Sequence, residues 1–230
     1  MLPAPVIFEH HGFRVVRDDM LEGGTKRRVI QPMVAERPEQ EFVYASPAYG
    51  YAQLALAVSA RETMKRATIF TAKRKRPHPL TLAAKAAGAK IVMVPYGYLS
   101  NVQSKARSYA ERVGALCVPF GVDTEESVKA IAAEAARLQI DEPAEVWCVS
   151  GSGTLTRGLQ EAWPNAEHHA VAIGANPNTG KAIRHVAPEK FEQNAKLKPP
   201  WPSSPNYDAK LWQFVKKIAR PGALIWNVGD

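Results

Sequence analysis

Short, unalternating apolar runs recur along this chain, and stretches with helical spacing separate them. The strand-like runs are Phe13–Val16, Phe42–Ala45, Ala67–Thr71, Lys90–Val94, Leu116–Val118, Glu145–Val149, Ala170–Ile173 and Ala223–Trp226. Such runs are expected where a strand is covered on both faces, as in a parallel sheet. The intervening segments predict helices at Tyr51–Met64, at Leu80–Ala87 before Gly88, and at Asn101–Val113 before Gly114. Further helices are predicted from Thr124 to Leu138 with acids in the first turn, at Thr154–Trp163 before Pro164, and at Asp208–Ala219 before Pro221. Strand and helix alternate in a way that implies βαβ units with right-handed crossovers. The expected fold class is therefore α/β, with parallel sheets flanked by helices. Asn176–Lys181 and the proline-rich Lys196–Pro205 break the pattern and read as loops.

Composition narrows the class. With 230 residues and 46% apolar content the chain can bury a real core in one large or two small lobes. No apolar run reaches the roughly 18 residues of a membrane span, and the first residues lack the features of a secretory signal. Cys117 and Cys148 lie inside apolar runs and read as buried thiols. A cytoplasmic protein is expected, in the host cytoplasm if the source is viral. Thirty Lys and Arg against 22 Asp and Glu give a net charge of +8, a balance that suits a polyanionic partner or simple solubility.

Three segments carry candidate chemistry. In Arg17-Asp18-Asp19-Met20-Leu21-Glu22-Gly23-Gly24-Thr25-Lys26-Arg27-Arg28, paired glycines allow close backbone approach to a ligand. The lysine behind them can touch a phosphate or serve as a Schiff-base amine. The same segment also reads as a turn before a solvated basic helix start. Ser150-Gly151-Ser152-Gly153-Thr154 joins an apolar strand to a helix, a setting in which backbone N–H groups and hydroxyls form an anion site. Lys73, Arg74, Lys75 and Arg76 follow the strand Ala67–Thr71, at the edge where open parallel sheets take ligands, or as a solvated loop. Tyr49 and Tyr51, and Tyr96 and Tyr98, fall at strand ends as acid/base groups, stacking surfaces or packing. No Cys or His spacing matches a zinc site, and no metal is expected.

Taken in order, these motifs resemble the fold-type II pyridoxal 5′-phosphate (PLP) enzymes, in the branch of D-cysteine desulfhydrase and 1-aminocyclopropane-1-carboxylate deaminase. The matching segments are Arg17-Asp18-Asp19-Met20, Gly23-Gly24-Thr25-Lys26, Ala86–Val94, Val118-Pro119-Phe120-Gly121, Gly151-Ser152-Gly153-Thr154 with Gly158-Leu159, Pro205–Asp208 and Leu224–Gly229. The resemblance implies a large PLP-binding lobe of residues 1–41 and 123–230, and a small inserted lobe of residues 42–122. It places the Schiff-base lysine on Lys26 and the phosphate loop on Gly151, Ser152, Gly153 and Thr154. Asp208 becomes the partner of the pyridine nitrogen, and Asn227 a further cofactor contact. Where the family has an Asn on the cofactor ring, this chain has Ser46–Gln53 without one, so either Tyr49, Tyr51 or Gln53 stands in or the ring contact is lost.

The implied chemistry is a bond broken at Cα of an amino-acid moiety, by a lyase, decarboxylase or deaminase. The basic loop Lys73–Arg76 favours an amino acid carried on DNA, because each neutralised phosphate releases counterions. Compact bacteriophage versions of these enzymes resemble modifiers of amino-acid-bearing thymine in DNA, and DNA hypermodification is the leading reading. Three others stay open. One is a free amino-acid deaminase or desulfhydrase. Another is a phosphoribosyltransferase, whose signature of two acids before a Gly-Gly-Thr loop resembles Asp18-Asp19 and Gly23-Gly24-Thr25. The last is a non-catalytic nucleic-acid-binding module. No membrane partner is expected, and a homodimer is open.

Overall fold

The computed structural model describes residues 2–95, 97–173 and 176–230. The fold is α/β, in two compact units. One unit comprises the residues up to Thr25 together with Asp123–Asp230; the other is Lys26–Val122.

The first unit holds a six-stranded sheet. Its strands are β1 (Ile7–His10), β2 (Phe13–Arg17), β7 (Glu145–Ser150), β8 (Glu167–Ala172), β9 (Ile183–Val186) and β10 (Leu224–Asn227), in the order β1-β2-β10-β7-β8-β9. Only the β1–β2 pairing is antiparallel. Helices α5 (Glu125–Ala136), α6 (Thr154–Ala162) and α7 (Trp212–Ile218) accompany it. Val15, Trp147, Val149, Val171, Trp201, Leu211 and Ile225 are among its buried core residues. The second unit has four parallel strands in the order β5-β4-β3-β6: β3 (Glu41–Ala45), β4 (Arg66–Ala72), β5 (Lys90–Val94) and β6 (Leu116–Cys117). With them go α1 (Thr25–Glu36), α2 (Ala52–Glu62), α3 (Pro79–Ala86) and α4 (Leu99–Val113).

Local chemistry explains most boundaries. Thr124 caps α5 by accepting from the Ser127 amide at 3.2 Å. Gly114 closes α4 in the left-handed conformation, with φ of 69°. The His78 ring accepts from the Leu80 amide and starts α3. That bond and burial both suit a neutral imidazole, and burial lowers its pKa.

Several expectations need correction. Strand β8 begins at Glu167, three residues before the apolar run, because His168 and His169 are buried in the ladder. His168 pairs with the Trp163 carbonyl, and His169 stacks on Trp147 at 4.1 Å between ring centroids. Strands β1 and β9 lie at the sheet edges and escape the apolar pattern altogether. The segment from Asp208 opens as a 3-10 turn, Asp208–Leu211, before α7. Residues 26–41, assigned to the large lobe on resemblance, fall in the unit Lys26–Val122. Arg27 and Gln31 on α1 both hold Glu62 of α2, and the Lys65 ammonium donates to the carbonyls of Val34 and Arg37. Cys117 is half-buried rather than buried.

Candidate functional site

In the unit Lys26–Val122, the chemistry gathers where β3, β4 and β6 end. Lys26 is the second residue of α1 and half-buried, and Arg27 and Arg28 beyond it are buried, which rules out a solvated basic helix start. The Lys26 ammonium donates to the carbonyl of Gly121, in the turn after β6. The N–H of Gly121 in turn donates to the Tyr44 hydroxyl at 3.3 Å. Gly121 takes φ of 72°, a conformation that favours glycine. Burial pushes the Tyr44 phenol up to about 12, so it keeps its proton at neutral pH. Gly121 thus holds the lysine through its carbonyl and a buried tyrosine through its N–H.

The loop after β3 carries Tyr49 and Tyr51. The Arg74 guanidinium lies 5.1 Å over the Tyr49 ring, and His78 packs against the same ring at 4.5 Å. The carbonyl of Tyr51 accepts from the amides of Leu54 and Ala55, which starts α2. Gln53 is fully buried, and its amide donates to the carbonyls of Ala48 and Gly50 while accepting from Thr81. It fixes the loop, and its amide is spent on that, so Gln53 does not serve as a ring contact. Lys73, Arg74, Lys75 and Arg76 are all exposed just past β4. The amide of Lys73 donates to Val94 at the end of β5, which anchors the basic loop to the carboxyl edge of its sheet. Tyr98 is exposed before α4, and Tyr96 lies outside the described residues.

In the other unit, Gly151-Ser152-Gly153-Thr154 turns from the end of β7 into α6. Gly153 has φ of 99°, and a Cβ there would stand 1.8 Å from the carbonyl oxygen of Asn178. That glycine is required by the backbone of Asn178 lying over it. Gly151 faces the Tyr207 hydroxyl, which a Cβ would approach to 2.9 Å. The Ser152 and Thr154 hydroxyls are 2.9 Å apart, and Thr154 donates to Asp123 at 3.0 Å. Asp208, next in sequence to Tyr207, is buried and accepts from the amides of Val228 and Gly229 at 3.1 and 3.2 Å. Burial pushes its carboxyl up to about 8 despite those bonds.

Other assignments change. The Asn227 amide donates to Asp19 and to the Pro202 carbonyl and accepts from Ser203, so its polar atoms brace the chain end. Asp18 is buried and accepts from Thr25 and Trp226, and Asp19 is paired with Arg17. Two acids consumed in this way cannot hold ribose hydroxyls, and the phosphoribosyltransferase reading falls with them. Burial raises both thiols, Cys148 to about 12, which makes them poor nucleophiles. Glu145, Glu167 and His169 bring ligand atoms within 4.8 Å of one another. Arg220 already bridges the two carboxylates there, and Trp147 donates to Glu145. Tyr44 and Asp123 were missed in the sequence. Tyr44 looks like any apolar strand residue, and Asp123 looks like an acid before a helix cap.

No protein-family model and no curated protein matches the chain. Solved structures do. A homologue of 1-aminocyclopropane-1-carboxylate deaminase aligns over 94% of this chain and 84% of its own, with a TM-score of 0.83 and 11% identity. O-ureido-L-serine synthase aligns over 99% and 88%, with a TM-score of 0.72 and 16% identity. Threonine deaminase isoform 2 of Solanum lycopersicum, in processed form, aligns over 70% of this chain at 18% identity and a TM-score of 0.61. The matched part spans 49%, about half, of that tomato enzyme. At these identities the likeness concerns the fold, and this chain has the fold of the fold-type II enzymes that its motifs resemble.

Proposed function

We propose that this chain is a PLP-dependent enzyme that breaks a bond at Cα of an amino-acid moiety. The observation that carries the reading is the seat of Lys26: a half-buried amine held on the Gly121 carbonyl, at the strand ends of a chain with this fold. The residues present suit the cofactor. Taken unit by unit, Lys26 in the one is an amine that would hold an aldehyde carbon, and the other offers the Gly151–Thr154 turn for a phosphate and the buried acid Asp208 for a ring nitrogen. PLP, when bound, supplies an electron sink for the charge left at Cα. The chain's own residues do the rest. Lys26 donates to the Gly121 carbonyl, which orients its amine, and a lysine so placed can also move a proton. Tyr44 keeps that carbonyl in place through the N–H of the same residue. Neighbours named as a threonine deaminase, a diaminopropionate ammonia lyase and a serine racemase support an amino-acid substrate, and the first two favour release of ammonia.

The finer reading is an amino acid carried on DNA, as in an amino-acid-modified thymine, processed by a lyase or decarboxylase. It is supported by the exposed run Lys73-Arg74-Lys75-Arg76, since a free amino acid gains little from four cations and a polyanion gains much. Purified protein given PLP should acquire a visible absorption band, and borohydride should fix the label on Lys26. Lys26→Ala should show neither. A wild-type protein that stays colourless and unlabelled with excess PLP would overturn the reading and leave a nucleic-acid-binding module without cofactor.

A further inference from the structure

We infer that Asp123 is a built-in competitor for the anion taken by the Ser152–Thr154 turn, and that Arg157 holds this competitor in check. The inference rests on the reading of that turn as a phosphate cradle, and it concerns how the cradle is set before a ligand arrives.

Proton accounting makes the case. Thr154 Oγ1 donates to Asp123 Oδ1 at 3.0 Å. A hydroxyl has one proton to give, so Thr154 must accept in its 2.9 Å contact with Ser152, and Ser152 must donate. The Thr154 amide reaches Ser152 Oγ as well, at 3.5 Å. The Thr154 proton is therefore spent on Asp123, and what that hydroxyl keeps for an incoming oxyanion is lone pairs. A phosphate can gain the Thr154 proton only if Thr154 lets go of Asp123.

Asp123 does not drift into this position. It directly precedes Thr124, the residue that caps α5, so the helix start fixes its backbone. Arg157 sits one turn along α6 from Thr154 and makes an ion pair with the same Asp123 oxygen. Its Nε is buried without a partner among the described residues, so the guanidinium is only partly satisfied there. Once Thr154 turns to a ligand, Arg157 is the group left to neutralise Asp123. Without Arg157, a bare carboxylate would stand one hydrogen bond from the donor that the phosphate needs, and like charges so close repel strongly. The turn thus rests in an acceptor state that phosphate must reverse. That arrangement lowers resting affinity and leaves the cofactor exchangeable.

The test measures affinity for inorganic phosphate by calorimetry and for PLP and pyridoxal by absorbance. Asp123→Ala should tighten both phosphate-bearing ligands roughly tenfold, the scale of one hydrogen bond to a charged group. Asp123→Asn keeps an acceptor for Thr154 and removes the charge, so it should tighten them less, and it carries the test if the alanine variant does not fold. Arg157→Ala should weaken both by a similar factor, but not when Asp123 is already alanine. Pyridoxal, which has no phosphate, should be unaffected throughout. Unchanged phosphate affinity in both Asp123 variants would overturn the inference. So would an Arg157→Ala loss that persists in the Asp123→Ala background, since Arg157 would then bind the anion itself. A protein that takes phosphate as described but never PLP would sink the cofactor reading and leave this one standing.

Discussion

Asp208 shows how far a single buried residue can be pushed. Its carboxyl accepts two backbone amides, which favour the ionised form, yet burial outweighs them and sets it near 8. The sign of the consequence follows from proton linkage. An unfolded Asp ionises near 4, so between about pH 4 and 8 the folded state holds a proton that the unfolded state has lost, and stability falls as pH rises. In the cofactor-free protein, the thermal midpoint of wild type should drop more between pH 5 and pH 8 than that of Asp208→Asn, which cannot ionise. Parallel pH profiles for the two proteins would show that Asp208 is already charged. A cationic ring nitrogen beside it would reverse the trend, so added PLP should flatten the wild-type profile. Residue identity pointed to Lys26 and the Gly151–Thr154 turn as candidates, because paired glycines and hydroxyls before a helix are chemically pointed. It did not reveal that Asn227 and Gln53 are spent on bracing loops, since an amide's partners depend on chain segments far away in sequence. Tyr44 was hidden for the opposite reason: its ring packs as core, and only its hydroxyl reaches the Gly121 amide.

At the scale of elements, α5 and α6 meet at Gly158. A Cβ there would stand 2.5 Å from Cβ of Ile131 and 2.8 Å from the carbonyl oxygen of Val128, so α5 itself would have to move. Gly158→Ala gains helix propensity, about 1 kcal/mol, and loses about 1–3 kcal/mol to overpacking. Backbone crowding makes the second effect the larger. The expected outcome is a net loss on the order of 1 kcal/mol, read as a lower urea midpoint with unchanged slope. A raised midpoint would mean that the helices part without cost. Gly153 behaves differently. A side chain there meets the Asn178 backbone at 1.8 Å, so a bulky variant reports the fold of residues 176–179 before it reports any phosphate. The inner strands were legible because both of their faces are apolar, and the edge strands Lys90–Val94 and Leu116–Cys117 because their runs stay largely apolar. The edge strands of the six-stranded sheet were not: Ile183–Val186 and Ile7–His10 carry polar residues that break the run. The proline-rich stretch after β9 read as a loop and is one, but Trp201 within it is buried in the sheet's core, and the Lys210 ammonium holds the carbonyl of Lys190 at 2.8 Å.

For the whole molecule the question is what a net charge of +8 is for. Much of it is ordinary. Arg17, Arg27, Arg137, Arg157 and Arg220 each have a carboxylate partner, and buried Lys210 is held by backbone carbonyls. The run Lys73–Arg76 is different in kind: four consecutive exposed cations, anchored by a backbone hydrogen bond, with Arg74 laid across Tyr49. Simple solubility needs charge spread over a surface, not four like charges in a row at the carboxyl edge of a parallel sheet. If the run binds nucleic acid, replacing all four by Gln should weaken DNA binding and flatten its salt dependence. The slope of log affinity against log salt should fall by up to about 0.9 for each duplex phosphate left without its cation, and by about 0.7 on a single strand. The absorption of PLP-loaded protein should be unchanged, because Lys26 donates to Gly121 independently of this loop. Binding and absorption thus separate the partner from the cofactor. A four-fold variant that binds DNA with the wild-type slope would remove the loop from the interface. If a free amino acid is then turned over at full rate and DNA does not compete, the substrate is a small molecule, and the four cations are a solvated surface that keeps the protein dispersed.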